Sequence, residues 1–190
     1  MRWFVRSVVV GLLLSIPFVS QAAEVAGVEL SERITARDGS ALRLHGAGLR
    51  EKFFFDIYVA ALYLPERGQT AQQIRSTEQP GRVEMHLVYD EISQEKLAKA
   101  WRDGFADNNP EEVLATVEDR LTRFIEMFPA AVSGDTFVME YVPDDGTAIR
   151  VNGDTVGKID GGEFFRALLG VWLGPDPPGD AIKRGMLGAE

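Results

Sequence analysis

Apolar and polar residues alternate in two stretches of the first half of the chain. Residues 40–46 place Leu42 and Leu44 opposite Arg43 and His45. Residues 81–90 repeat the pattern, with Val83, Met85, Leu87 and Tyr89 on one face and Glu84, His86 and Asp90 on the other. This period of two is typical of a strand with one buried face, so both stretches are predicted to be strands.

The stretch between them has a different pattern. Residues 53–64 read Phe-Phe-Phe-Asp-Ile-Tyr-Val-Ala-Ala-Leu-Tyr-Leu and are apolar at both parities, and Pro65 follows. A strand with apolar residues on both faces is covered on both faces. Residues 53–64 are therefore predicted to form a central strand that ends at Pro65.

The middle of the chain changes to a helical period. Ser93 is a suitable N-cap for a first helix, whose stripe is Leu97, Trp101 and Phe105. For a second helix, Asn109 is the predicted N-cap, Pro110 the first helical residue and Glu112 the capping-box residue. The apolar residues of that helix recur every 3.6 positions and indicate a buried face: Val113, Leu114, Val117, Leu121, Phe124, Ile125 and Phe128.

Strand and turn signals return towards the end of the chain. Residues 135–142 and 147–151 flank a turn-forming segment at 143–146, and Asn152-Gly153 is a second turn signal before residues 155–159. Two helices are predicted to close the chain, one around residues 164–172 and one starting near Asp180. Hairpins with segregated helices predict an α+β fold, a mostly antiparallel β-sheet layered with α-helices.

The N-terminus has the features of a secretion signal. Arg2 and Arg6 precede an apolar run at residues 7–19, and Ser20-Gln21-Ala22 supplies small residues for cleavage. The run is shorter than the roughly 20 residues that a membrane-spanning helix needs. We therefore predict a signal peptide at 1–22, a single mature domain at 23–190, and a periplasmic location.

Composition excludes several classes of chemistry. The chain has 190 residues, no cysteine and two histidines, which leaves no thiolate site and too few ligands for a zinc triad. The formal net charge is −9, which argues against binding to nucleic acid. The predicted signal carries two arginines and no acidic residue, so the mature domain is more acidic still. We expect no cofactor, no metal and no nucleic-acid partner.

The candidate polar sites also have simple structural interpretations. The acidic residues near Asp144 and Asp160 do not have the spacing of a calcium loop and suit turns. His45 and His86 are expected on polar strand faces, at the surface or the rim of a pocket. Gly46-Ala47-Gly48 suggests a bulge or a close backbone approach rather than a nucleotide site.

Arg50 and Tyr58 are the polar pair with the greatest functional interest. Both lie beside the most apolar segment of the chain. An arginine and a phenol near an apolar pocket are suited to hold a carboxylate at its mouth, although a surface arginine and a packed tyrosine are an equally simple interpretation.

These residues belong to a longer stretch that resembles the chalcone isomerase superfamily, in particular its exported bacterial branch. The stretch runs from Leu44-His45-Gly46-Ala47-Gly48-Leu49-Arg50 through residues 52–65. The resemblance continues in Gly134-Asp135, Tyr141-Val142-Pro143, Val151-Asn152-Gly153 and residues 167–174. It covers about residues 24–189 and implies a chalcone isomerase-like fold, an open-faced β-sandwich with a ligand cleft between sheet and helices.

The resemblance also identifies the positions that carry catalysis in true chalcone isomerases. The catalytic arginine corresponds to Arg50, but the other four positions, which are polar in the plant enzymes, correspond to Tyr58, Leu97, Gly104 and Val171. Leu97, Gly104 and Val171 have no side-chain group that stabilises an enolate. Isomerase activity is therefore not expected.

The same resemblance extends to non-catalytic relatives that bind fatty acids through an arginine and a tyrosine. It implies a binding protein for a fatty acid or similar amphipathic carboxylate, with Arg50 and Tyr58 as ligand-binding residues. Two alternatives remain: an isomerase (intramolecular lyase) for another substrate, and a cell-envelope interaction module with no ligand. In an unbroken strand Arg50 and Tyr58 would be roughly 26 Å apart, so their convergence requires a bend or bulge near Glu51-Lys52.

Overall fold

The centre of the fold is a seven-stranded antiparallel sheet. The computed structural model describes residues 22–189, so residues 1–21 of the predicted signal lie outside the description. The strands are β1 (Ala22–Val25), β2 (Val28–Ser31), β3 (Arg33–Thr35), β4 (Ala41–Lys52), β5 (Phe55–Leu64), β6 (Gly81–Leu87), β7 (Glu91–Ile92), β8 (Ala131–Val132), β9 (Thr136–Val142), β10 (Gly146–Val151) and β11 (Asp154–Ile159). The main sheet has the order β11-β10-β9-β6-β5-β4-β3, and β1-β2 and β7-β8 form separate pairs.

Helices cover one face of this sheet. They are α1 (Ala71–Ser76), α2 (Gln94–Asn108), α3 (Glu111–Glu126), α4 (Gly162–Leu173) and α5 (Asp180–Met186). The predicted stripe of Leu97, Trp101 and Phe105 is buried, and the Ser93 hydroxyl accepts a hydrogen bond from the Lys96 amide as an N-cap. Contacts of α4 with β10 and with the four other helices explain why most of its residues are buried. The α+β prediction is therefore confirmed.

The opposite face of the sheet is covered in two different ways. The β1-β2 pair lies over one half and buries an apolar cluster that includes Leu42, Leu44 and Val59. On the other half the Glu140 carboxylate is fully buried, accepting hydrogen bonds from the Arg37 and Arg82 side chains. Residues 59–64 of β5 are thus covered on both faces, as predicted.

The prediction of a central strand at residues 53–64 is wrong for its first residues. Phe53 and Phe54 form the turn between β4 and β5, and Phe53, Phe54 and Phe55 are 85%, 99% and 56% exposed. Their apolar character suggested a buried strand because the sequence does not show that β4 and β5 turn back on one another at this point.

Two other local predictions require correction. Asn109 is not the N-cap of α3. Its side-chain amide donates to the Phe105 and Ala167 carbonyls, and Pro110 holds the cap position. His45 is 2% exposed rather than at the surface, because it lies at a bulge where α5 covers β4. Its Nδ1 donates to the Met186 carbonyl and its Nε2 accepts from the Gln69 amide.

The glycines beside His45 allow the α5 backbone to lie directly on β4. A Cβ atom at Gly46 would be 2.2 Å from the Gly185 carbonyl oxygen, and one at Gly48 would be 2.5 Å from the Ile182 carbonyl oxygen. No side chain fits in either gap. The predicted bulge and close approach at Gly46-Ala47-Gly48 are both present.

Candidate functional site

Arg50 and Tyr58 are directly opposite each other in the β4-β5 hairpin. Arg50 lies on β4, and Tyr58 lies on β5 after the turn at Phe53-Phe54. Arg50 and Tyr58 are paired residues of the antiparallel ladder. The register shifts between Arg50 and Glu51, which is the bulge that convergence required. Paired residues of adjacent antiparallel strands project from the same face with Cβ atoms about 5 Å apart. The structure therefore brings the two predicted residues together.

Tyr58 projects towards the helical layer and is held there by Trp172 of α4. The Trp172 indole Nε1 donates a hydrogen bond to the Tyr58 hydroxyl oxygen over 3.1 Å. Burial raises the pKa of Tyr58 to about 12, while the Trp172 hydrogen bond and the charge of Arg50 act in the opposite direction. Tyr58 is therefore neutral at physiological pH, and its hydroxyl proton remains free to donate to an anion.

Arg50 lies half-buried at the surface end of this pair. Its Nη1 donates to the Glu51 carbonyl oxygen over 2.8 Å, and the guanidinium lies beside Gly179, at the start of α5. Among residues 22–189, no ion pair joins Arg50 to a carboxylate. The positive charge of Arg50 is thus available beside the Tyr58 phenol.

Three other positions that the resemblance assigns to catalysis, Leu97, Gly104 and Val171, lie in tightly packed apolar surroundings. Leu97 and Val171 are each 5% exposed and belong to the core between α2 and α4. A Cβ atom at Gly104 would lie 2.9 Å from a methyl carbon of Val171. Leu97, Gly104 and Val171 therefore place no side-chain hydrogen-bonding group in this part of the core.

An open groove lies between helices of the described residues. It has a volume of about 580 Å³ and is lined by parts of α1, α3, α4, α5 and the segment after α4. Three basic residues line it, but Lys183 donates to the Gly174 carbonyl and Arg75 to the Asn108 carbonyl and the Asn109 side chain. A second void of about 10 Å³ lies near Tyr141. Neither cavity is lined by Arg50 or Tyr58.

Sequence reasoning missed two features of this site. Trp172 was placed only on the predicted helix around residues 164–172, and no local pattern relates it to Tyr58, which lies 114 positions earlier. The helical groove was also missed, because its lining comes from segments that are distant in sequence. The sequence signal for the contact with Tyr58 is the tryptophan itself, because a buried indole N–H usually has a hydrogen-bond acceptor.

Residues 22–189 contain neither a cluster of side chains suited to a metal ion nor a helix suited to span a bilayer. Within residues 22–189 there is no group of three or more histidine or acidic side chains placed to hold a metal ion. None of the helices in this range is long and apolar enough to cross a bilayer.

The fold and the paired arginine and tyrosine define a class of protein: a curled antiparallel sheet with one helical layer and a polar pair at the end of a central hairpin. The family model described as chalcone isomerase-like matches residues 22–188. The chain therefore belongs to the chalcone isomerase-like family.

A solved structure shares this fold. The crystal structure of a fatty-acid-binding protein of Arabidopsis thaliana superposes with a TM-score of 0.60 at 15% sequence identity. The match covers 82% of this chain and 96% of that protein. No curated protein matches this chain by sequence.

Proposed function

We propose that this protein is an exported, non-catalytic binding protein for a fatty acid or similar amphipathic carboxylate. The observation that carries the proposal is the Arg50–Tyr58 pair: an arginine without a carboxylate partner in the described structure faces a neutral phenol on the same side of a hairpin. The family membership and the fatty-acid-binding protein of the same fold support the same function. The basic signal-like N-terminus supports the periplasmic location.

The two side chains are complementary to a carboxylate. The Arg50 guanidinium supplies charge-assisted donors, and the Tyr58 hydroxyl supplies a neutral donor. The indole of Trp172 already donates to Tyr58, which leaves the phenol proton directed elsewhere. A carboxylate at this point would accept from both residues.

The aliphatic part of the ligand would lie against the apolar residues around the pair. Trp172 of α4 and Ile182 of α5 belong to the apolar core that includes Tyr58 at its edge. Helix α5 is short and contacts mainly β4. We infer that α5 and the segment before it shift to admit the ligand, because neither described cavity reaches the pair.

Titration with a medium-chain fatty acid and its methyl ester tests the proposal, with intrinsic tryptophan fluorescence, to which Trp172 contributes, as the readout. The parent should bind the acid, and the ester, which has no charge, should bind more weakly. Arg50→Gln should reduce affinity for the acid about tenfold to a hundredfold, as expected for a lost charge-assisted hydrogen bond. It should leave affinity for the ester nearly unchanged.

Arg43→Gln is the matched control. Arg43 is an exposed arginine on the same strand, outside the pair, so this variant should bind both compounds like the parent. Equal loss in both variants, equal binding of acid and ester, or no binding to the parent would each contradict the proposal.

The close packing between α2 and α4 favours a second candidate, an interaction module of the cell envelope that holds no ligand. Gly104 and Val171 pack without a gap, and the aromatic residues Trp101 and Phe105 fill the layer between helices and sheet. Native mass spectrometry separates the candidates. A fatty-acid adduct that Arg50→Gln loses supports the first, and ligand-free protein after incubation with fatty acids supports the second.

A further inference from the structure

The tip of the β4-β5 hairpin exposes three consecutive phenylalanines. Phe53 is 85%, Phe54 99% and Phe55 56% exposed. Burying a phenylalanine side chain normally stabilises a protein, and the three exposed rings give up most of this stabilisation. A run of exposed apolar residues that the fold does not bury usually serves an interaction.

The backbone at the tip shows that the turn itself does not require these residues. Phe53 has φ +58°, a left-handed conformation that is strained for a bulky side chain. The same chain closes its β10-β11 hairpin with Asn152 and Gly153, at φ +51° and +90°, which adopt such conformations at lower cost. This chain therefore has an aromatic ring at residue 53 despite local strain, which points to a function for the ring.

The surroundings of the tip indicate a lipid surface. Phe54 is almost completely exposed at the narrow end of a two-stranded hairpin, so the rings project from the body instead of forming a flat patch. Tyr89 packs edge-on against Phe55 with ring centroids 5.7 Å apart and adds an amphipathic ring at the base. Tyrosine favours the bilayer interface, and phenylalanine is typical of the apolar face of segments that lie in that interface.

The charges around the tip indicate which lipid surface. Arg50 and Lys52 are balanced by Glu51 and Asp56, so the hairpin end has no net charge, and the whole chain is acidic at −9. Attraction to anionic lipids is therefore not the driving force. We propose that the Phe53-Phe54-Phe55 tip inserts into the interface of a zwitterionic bilayer and docks the protein on the membrane surface.

Docking of this kind would place the Arg50–Tyr58 pair near the lipid headgroups. Arg50 precedes Phe53 by three residues, roughly 10 Å along a strand. Interfacial segments bury their apolar side chains about 5–10 Å deep. Arg50 then lies at the level where a membrane-borne fatty acid presents its carboxylate. This link rests on the proposed function, whereas membrane docking does not.

Flotation of the full chain with phosphatidylcholine vesicles tests the docking. Phe53→Asn/Phe54→Asn removes both rings and relieves the strain at Phe53, so the variant is expected to remain folded, with a circular dichroism spectrum like that of the parent. Its vesicle affinity should fall at least about tenfold, from the loss of buried apolar area. Val132→Asn/Val156→Asn, which alters two exposed apolar residues elsewhere, should bind like the parent. The apolar N-terminal segment is the same in every variant and contributes equally.

Phe54→Trp provides a local readout. The chain already has three tryptophans, so the emission of the parent is subtracted. The remaining emission should shift to the blue when vesicles are added, because the new indole leaves water. An unshifted emission, or unchanged vesicle binding by the double asparagine variant, overturns the proposal. The proposal is also overturned if the parent does not bind vesicles but self-associates, or captures a protein partner, in a way that depends on the tip. The tip would then be a contact for a protein.

The outcome is separable from that of the fatty-acid proposal. Arg50→Gln should lose fatty-acid affinity and keep vesicle binding, whereas the double asparagine variant should lose vesicle binding and keep fatty-acid affinity in vesicle-free solution. If either proposal fails, the other can still be tested.

Discussion

At the scale of single residues, the most informative positions are those whose environment contradicts their side-chain type. Phe53 is a bulky apolar residue in a left-handed turn with 85% exposure, and His45 is a titratable residue with 2% exposure. His45 is stable there because both ring nitrogens have backbone partners. Phe53 has no such compensation within the described fold, so its side chain reduces stability.

Phe53→Asn is therefore expected to stabilise the protein. Asparagine tolerates φ near +58°, and the substitution should raise the free energy of unfolding by about 0.5–1 kcal/mol. Urea denaturation measures the change. Phe54→Asn is the control, because residue 54 has no positive φ and gains nothing from asparagine. Equal or lower stability of Phe53→Asn would show that the strain is relieved in another way.

At the scale of elements, the contact between β4 and α5 joins the two ends of the domain. Gly46 and Gly48 on the strand and Gly185 on the helix let the two backbones touch. The same helix begins beside the Arg50 guanidinium. The position of α5 therefore determines both the packing of β4 and the cover over the proposed ligand site.

Gly48→Ala should displace α5. The new methyl would meet the Ile182 backbone at 2.5 Å, and backbone cannot move aside as a side chain does. We expect a loss of about 1–3 kcal/mol in the free energy of unfolding, with faster amide exchange in α5. Gly157→Ala is the matched control in β11, where the methyl would meet the flexible end of Met127, and a much smaller loss is expected. Equal losses would argue against a rigid α5 contact.

At the scale of the whole molecule, the layered fold keeps three of the four tyrosines from ionising at their ordinary pKa of 10. Burial raises the pKa of Tyr58 to about 12, and burial together with a hydrogen bond to Glu78 does the same for Tyr141. The pKa of Tyr63 is also raised, mainly by burial. Each of these groups is more easily ionised in the unfolded chain than in the folded one.

Stability should consequently decline at alkaline pH. A tyrosine with a raised pKa in the folded state contributes its stabilisation fully below pH 10 and loses it as the pH rises towards about 12. Urea midpoints measured across this window should fall. Tyrosinate absorbance should show delayed ionisation in the folded protein and ordinary ionisation in urea. A folded protein whose tyrosines all ionise around pH 10 would contradict this account.

Much of the fold was predictable because its signals are local. The alternation of residues 81–87 and the stripe of Leu97, Trp101 and Phe105 depend only on spacing within one element, and the structure confirms both. The β1-β2 pair and α1 were missed, since short elements carry few periodic positions. The capping box of Thr70 and Gln73 was the available signal for α1.

The candidate site was predictable only in part. The types of Arg50 and Tyr58 indicated carboxylate chemistry, and the resemblance placed both residues together, but their use in binding stays a prediction. Their direct pairing follows from the turn at Phe53-Phe54 and the bulge after Arg50. These features depend on which strands pair, and the spacing of residues along one strand does not encode that.

The sequence by itself determined the α+β class, the family and the amphipathic faces of the principal helices, because each depends on residue types and periods within short segments. Only the tertiary structure decided that Arg50 faces Tyr58, that Trp172 holds the phenol, and that Phe53, Phe54 and Phe55 are exposed. The physical reason is that burial and pairing are properties of segments brought together from distant parts of the chain. An apolar run has the same letters in a core strand and at a hairpin tip.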